Sequence, residues 1–129
     1  MVSLVALLLC GAASPDSAGA VERLQKAGIE VGGPFTAEEI LALARGLDAL
    51  PERLRVLPGG RRARVFLDSS RAPSPSGMAE PEWTTPTTFV LTPQQGFVSF
   101  RDETLDENER RLLWRSRAIV HLVLSRWDE

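Results

Sequence analysis

The last part of the chain, residues 105–127, has the apolar spacing of one long amphipathic helix, and it contains the protein's only histidine, His121. Thr104 and Glu107 have the spacing of a T-x-x-E capping box, and acidic side chains crowd the first turn, where the helix dipole favours negative charge. A helix with one apolar face has to pack against another element. The face that we expect to be buried consists of Leu112, Ile119, Val120, Val123 and Trp127.

Two further helices are predicted near the N-terminus. Residues 21–27 have a short helical pattern that stops at a glycine. Thr36 and Glu39 form another T-x-x-E capping box ahead of an apolar run with helical spacing. This pattern predicts a helix over residues 37–50.

Short β-rich runs separate these helices. Residues 64–68 have an apolar centre and predict a strand. Residues 87–91 and 97–100 fit a hairpin with a five-residue loop, and the proline-rich residues 71–86 fit a surface loop with Trp83 tucked against the core. The fold class predicted is α+β: N-terminal helices, a small sheet with a β-hairpin, and a long C-terminal helix.

Length and composition place the chain among ordinary globular proteins. It has 129 residues, which favours one domain, with 43% apolar and 25% charged residues. The net charge is −2, and acidic and basic residues are interspersed. Because no basic tract or acidic tail is present, no nucleic-acid partner is expected.

The N-terminus has the pattern of a secretory signal peptide. An apolar run is followed by small residues and an A-x-A site, so residues 1–20 are predicted to be removed by cleavage after Ala20. The mature α+β domain would be residues 21–129, secreted or periplasmic, without a membrane span. The alternative is a lipid anchor on Cys10, the only cysteine.

His121, Ser125 and Asp128 lie at i, i+4 and i+7 of the last helix and share one side of it. His121 could be a zinc ligand, but one imidazole cannot build a site, so Asp128, Glu129 or a partner would have to help. A Ser-His-Asp triad is disfavoured, because parallel side chains on one helix do not let the base reach both other groups. The third interpretation, which we favour, is a partly buried histidine that hydrogen-bonds a backbone carbonyl or Asp128.

A small basic cluster follows a turn in the middle of the chain. Arg61, Arg62 and Arg64 come directly after Gly59 and Gly60. The glycines lack the lysine and helix context of a phosphate loop. A solvated turn is therefore expected, with an anion contact as the alternative.

Acidic residues and tryptophans form two other groups. Four acids near the start of the last helix could suggest a cation site, but the helix dipole explains their position better. The tryptophans are expected to pack in the core or at its rim. The acids are Asp102, Glu103, Asp106 and Glu107, and the tryptophans are Trp83, Trp114 and Trp127.

Two motifs resemble those of zincin-type secreted bacterial metallopeptidases. They are G-M-A-E-P-E-W at residues 77–83 and R-A-I-V-H-L-V-L-S-R-W-D on the last helix, and the resemblance covers residues 36–128. In H-E-x-x-H peptidases the two histidines bind zinc and the glutamate activates water. The resemblance implies that His121 is the position of the first zinc ligand, with Leu122 in place of the general base and Ser125 in place of the second ligand.

These departures favour a non-catalytic protein. We expect an exported domain, zincin-like in descent, that is a binding or scaffold module of the cell envelope and has no cofactor. One alternative is a zinc-dependent peptidase fragment that missing C-terminal sequence or a partner completes. Another is an unrelated envelope module in which His121 is incidental. A protein partner, or self-association through the last helix, is expected where the apolar face of that helix is left uncovered.

Overall fold

The computed structural model describes residues 15–70, 81–93 and 105–128, which contain three α-helices and one four-stranded sheet. Two short 3-10 turns, Glu52–Leu54 and Pro58–Gly60, lie ahead of the second strand. The arrangement confirms the predicted α+β class. In chain order the elements are α1 (Pro15–Lys26), β1 (Ile29–Gly32), α2 (Ala37–Asp48), β2 (Ala63–Leu67), β3 (Glu82–Thr85), β4 (Thr88–Leu91) and α3 (Glu107–Trp127).

The sheet has the order β1-β2-β4-β3 and is mixed. β1 pairs in parallel with β2, and β2 pairs in parallel with β4, whereas β3 runs antiparallel to β4. Parallel neighbours need a crossover connection. α2 supplies this connection between β1 and β2.

The three helices cover one face of this sheet. Residues that alternate inward from the strands join the inward side chains of all three helices in one core. Residues between them, such as Glu30 and Arg64, are exposed. The strand residues that face the core include Ile29 opposite Ala63, Val65 opposite Phe89 and Leu67 opposite Leu91.

α2 begins as predicted. The Thr36 hydroxyl accepts a hydrogen bond from the Glu39 backbone N–H at 3.1 Å, and a Glu39 carboxylate oxygen accepts one from the Thr36 backbone N–H at 3.1 Å. The helix ends at Asp48, shortly before Pro51, which is two residues earlier than expected.

α2 and α3 approach closely at Gly46. A Cβ atom added there would lie 2.4 Å from the Ser116 carbonyl oxygen and 2.7 Å from Ile119 Cβ. The Ser116 hydroxyl donates to the Ala42 carbonyl at 2.7 Å, across the same interface. Glycine is therefore needed at residue 46 for space, and this contact fixes where α3 lies on the core.

α1 begins at Pro15, six residues before the predicted start. Ser17, Ala20 and Val21 are all buried. The small residues of this segment suit a signal-peptide cleavage region, but they are equally compatible with a helix face that packs closely. The peptide bond predicted to be cleaved, after Ala20, lies within this helix.

The strand predictions were partly wrong. β1 was not predicted, and β3 lies in a segment expected to be loop. β4 forms a hairpin with β3, the strand that precedes it in the chain, through a turn at Pro86 and Thr87. The predicted strand at residues 97–100 lies outside the described residues.

α3 begins two residues later than predicted. Asp106 caps it, with Glu109 as the reciprocal member of the capping box, since aspartate is as good an N-cap as threonine. Ile119 and Val123 are buried as expected, but Trp127 is 39% exposed. Thr104 lies outside the described residues. Of the helices in the described part of the chain, none is long and apolar enough to span a membrane.

Candidate functional site

The C-terminal half of α3 packs on the β3–β4 hairpin through aromatic rings. Trp83 and Phe89, which pair across the two strands, meet edge to face with ring centroids 4.9 Å apart. The His121 ring stacks on Phe89 with centroids 5.8 Å apart and an interplanar angle of 29°. His121 is nonetheless exposed, so the expectation of a partly buried histidine was wrong. Together with Ser125 and Arg126, these residues form what we call the hairpin cluster.

The Ser125 hydroxyl is engaged on both sides. It accepts a hydrogen bond from the Trp83 indole N–H at 3.1 Å and donates to the Leu122 carbonyl at 2.7 Å. Its proton is directed to a backbone carbonyl, so Ser125 is not oriented as a nucleophile towards His121. The residue in the position of a second zinc ligand joins the helix to the hairpin.

Arg126 completes the hairpin cluster from the last turn of α3. Its guanidinium carbon lies 3.5 Å from the centroid of the Trp83 ring, and Nη2 donates to the Pro86 carbonyl at 2.5 Å. Both contacts hold the side chain against the hairpin.

Leu122, which stands in place of the zincin general base, is fully buried in the core. It points to a different side of α3 from exposed His121. A carboxylate at residue 122 could not reach bulk water without displacing core side chains. The helix is thus oriented for packing at the position where a peptidase needs a base.

The described residues near His121 do not supply the three protein ligands that a catalytic zinc uses. Within residues 15–70, 81–93 and 105–128, no group of three or more histidine, cysteine, aspartate or glutamate side chains could hold a metal ion. Asp128 follows the helix and is exposed, and its backbone N–H bonds to the Leu124 carbonyl. Glu129, another expected helper, lies outside the described residues, and within them His121 is not joined by a complete set of zinc ligands.

A buried ion pair, which the sequence did not predict, lies at the other half of α3. Arg115 is 1% exposed and Glu39 is 4% exposed, and Arg115 Nε donates to Glu39 Oε2 at 2.8 Å. Arg115 Nη1 donates to the Thr92 carbonyl at 3.0 Å, just after β4. Burial lowers the pKa of Arg115, and the Glu39 carboxylate opposes that effect. The pair joins the start of α2, the middle of α3 and the end of β4.

The basic cluster lies at the start of β2. Arg61 and Arg62 are exposed after a turn in which Gly59 and Gly60 both have positive φ. Arg64 is exposed within β2, with its guanidinium 5.1 Å from the centroid of the Phe66 ring. Arg62 and Arg64 line one groove together, and Arg61 and Arg62 line a second groove with Arg126.

Two of the four acidic residues lie at the start of α3, and the three tryptophans differ in their surroundings. Asp106 is the N-cap of α3 and Glu107 is in its first turn, whereas Asp102 and Glu103 lie outside the described residues. Trp83 packs at the rim of the core, as predicted. Trp114 is half-buried, and the Trp127 indole N–H donates to the Val56 carbonyl at 2.9 Å.

Comparison of the sequence with models of protein families finds no match, and comparisons with curated proteins and with solved structures find none either.

Proposed function

We propose that this chain is a non-catalytic α+β domain, zincin-like in descent, that acts as a binding or scaffold module of the cell envelope. The proposal is supported by the roles of the two residues that depart from the H-E-x-x-H motif. Leu122 belongs to the core, and Ser125 joins α3 to Trp83 of the hairpin. A leucine side chain has no atom that can accept a proton, and the Ser125 hydroxyl is already hydrogen-bonded on both sides.

Zinc binding by the full chain tests this proposal. The protein is dialysed with equimolar zinc and its metal content is measured, with His121→Ala and Asp128→Asn as variants. We expect no retained zinc that depends on His121, because one imidazole and an exposed carboxylate do not complete a site. About one zinc per chain, lost in His121→Ala, would contradict the proposal and favour the peptidase.

The alternative, a zinc-dependent peptidase fragment completed by further sequence or a partner, draws on the exposure of His121. An exposed imidazole on α3 is accessible to ligands from another chain. This alternative predicts that zinc binding appears only when the completing segment is added. An in-frame extension of the coding DNA beyond Glu129 with another histidine or glutamate would identify such a segment.

Export is proposed separately, and it predicts cleavage of the chain within α1. Cleavage after Ala20 would remove Ser17 and Ala20 from the buried face of the helix. The N-terminus of the protein recovered from a bacterial host is measured by mass spectrometry. A chain that begins at Val21 supports export, a lipidated Cys10 supports the anchor, and an unprocessed chain in the cytosol contradicts both.

Self-association through the last helix is proposed from exposed apolar side chains. Leu124 is 36% exposed, Trp127 39% and Val56 45%, and the Trp127 indole bonds to the Val56 carbonyl. Sedimentation at increasing concentration tests this surface. Association that is weakened by Val56→Glu supports self-association, whereas a monomer at all concentrations contradicts it.

A further inference from the structure

We propose that a groove across the starts of the parallel strands binds a short peptide through its two charged ends. This site goes beyond the proposed function, because it shares no residue with motif positions 121, 122 and 125. The groove has a volume of about 800 Å³, within the range of small-molecule sites. We call it the strand groove, and its polar lining residues include Glu22, Lys26, Glu30, Arg62, Arg64 and Thr88.

A row of three side chains lines the strand groove across the sheet. Glu30 of β1 lies opposite Arg64 of β2, and Arg64 lies opposite Thr88 of β4. All three alternate with core residues along their strands, so they lie on the face of the sheet opposite the helices. Neighbouring strands are about 4.8 Å apart, so the row is about 10 Å long from β1 to β4.

The two charged members of this row do not neutralise each other. In the described part of the chain, Glu30 forms no ion pair with Arg64. The Arg64 guanidinium is directed instead towards Phe66, with its carbon 5.1 Å from the ring centroid. It also lies beside Gly32, where an added Cβ atom would be 2.7 Å from Arg64 Nη2. Glycine at residue 32 therefore leaves room for this orientation, in which the Glu30 carboxylate has no cationic partner among the described residues.

The β1 end of the strand groove is negative. α1 packs on β1, and its Glu22 and Lys26 line the groove together with Glu30, so this end has two carboxylates and one ammonium. Glu22 and Lys26 have the i, i+4 spacing of a helical ion pair, but within the described residues they form none. One carboxylate in excess favours a ligand with a positive group at this end.

The opposite end of the strand groove is positive and provides a hydroxyl group. Arg62, just before β2, is exposed and has no hydrogen-bond or ion-pair partner among the described residues. The same holds for the Thr88 hydroxyl, although the Thr88 backbone N–H donates to Thr85. β2 and β4 contribute no carboxylate to the described lining of the groove. Guanidinium and hydroxyl donors together suit a carboxylate.

A peptide of three residues fits this distribution of charge. It has an ammonium group at one end and a carboxylate at the other. An extended chain spans at most about 3.3–3.6 Å per residue, so three residues reach about 10 Å, the length of the row. A single amino acid has both charged groups on one carbon and cannot reach both ends. The ammonium is therefore assigned to Glu22 and Glu30, and the carboxylate to Arg62 and Thr88.

Titration of the full chain with triglycine, at neutral pH and constant ionic strength, tests the proposal. Binding is followed by NMR chemical shifts. Acetyl-triglycine, which has no ammonium, and triglycine amide, which has no carboxylate, are titrated in parallel. We expect saturable binding of triglycine, and blocking either end should weaken it about fivefold, the effect of one partly exposed ion pair.

Glu30→Gln and Arg62→Gln distinguish the two ends of the strand groove. Glu30→Gln should weaken triglycine binding about fivefold but leave acetyl-triglycine binding unchanged, because that peptide has no ammonium to lose. Arg62→Gln should show the same pattern with triglycine amide. The matched controls are Glu38→Gln and Arg45→Gln, at exposed positions on α2 outside the groove.

All four substituted side chains are exposed, so the variants should fold, which circular dichroism checks. The absence of saturation with triglycine would overturn the site. So would blocked peptides that bind as tightly as triglycine, or equal losses of affinity in the groove variants and their controls.

Discussion

The two halves of α3 contact the rest of the protein in different ways. In the first half, Arg115 forms a buried ion pair with Glu39, and both side chains are almost without solvent exposure. In the second half, His121 and Ser125 contact the hairpin at the protein surface. Polar groups in the first region cannot exchange their partners for water, whereas those in the second can.

This difference indicates where the chain can vary and still fold. Removing one member of a buried ion pair leaves an uncompensated charge, so both residues are constrained together. In the hairpin cluster, solvent can replace a lost contact at modest cost. The motif positions His121 and Ser125 lie in the tolerant region, but Leu122, between them, lies in the core.

The largest effect is expected for Leu122→Glu, which places at residue 122 the glutamate of the H-E-x-x-H motif. The substitution removes a fully buried leucine and places a carboxylate in the core, so we expect a loss of about 5 kcal/mol or more in the free energy of unfolding. Urea denaturation followed by circular dichroism measures it. The matched control is Leu124→Glu on the same helix, where the leucine is already 36% exposed. Equal stability of the two variants would contradict the burial of Leu122 and the exposure of Leu124.

The next largest effect is expected for Arg115→Met. The variant leaves the Glu39 carboxylate buried without its guanidinium partner, and we expect a loss of about 3–5 kcal/mol. Glu39→Gln combined with Arg115→Met should recover part of this loss, because no buried charge remains. Arg117→Met, at an exposed position on the same helix, is the control. If Arg115→Met is as mild as its control, the two halves of α3 do not differ as described.

A smaller effect is expected in the hairpin cluster. Ser125→Ala removes the acceptor of the Trp83 indole N–H and should cost about 1 kcal/mol. A double-mutant cycle with Trp83→Phe isolates this hydrogen bond, since both single variants remove it. Additive losses would mean that Ser125 and Trp83 are not coupled, and the hairpin cluster would not anchor the helix.

Elements that depend on local sequence patterns could be predicted, whereas elements that depend on distant contacts could not. The capping box of Thr36 and Glu39 depends on a spacing of three residues, and the structure has it as predicted. The long helix was predicted from its periodicity. In contrast, β1 is a run of only four residues next to glycines. It is a strand because it pairs with β2, and this pairing cannot be seen in the local sequence pattern.

The contacts of the candidate site could not be predicted either, because they join residues that are far apart in the sequence. Arg115 pairs with Glu39, 76 residues away, and Trp83 bonds to Ser125, 42 residues away. One signal was present, since Arg115 lies four residues before Ile119 on the apolar stripe of α3. A charged residue at a stripe position indicates a buried partner, but it does not identify that partner.

The smallest effect is expected at the exposed start of α3, where Asp106 caps the helix. The Glu109 backbone N–H donates a hydrogen bond to the Asp106 carboxylate. More than any other contact, this hydrogen bond holds the pKa of Asp106 below its ordinary value of 3.8. The ionised form is thus favoured in the folded state, so the stabilisation is present above 3.8 and is lost as the pH falls through the folded value. Asp106→Asn keeps an acceptor for the cap but cannot titrate. Thermal unfolding from neutral pH to below 3.8 should show a steeper loss for the natural chain than for Asp106→Asn. Identical slopes would mean that this exposed carboxylate adds nothing to the pH dependence.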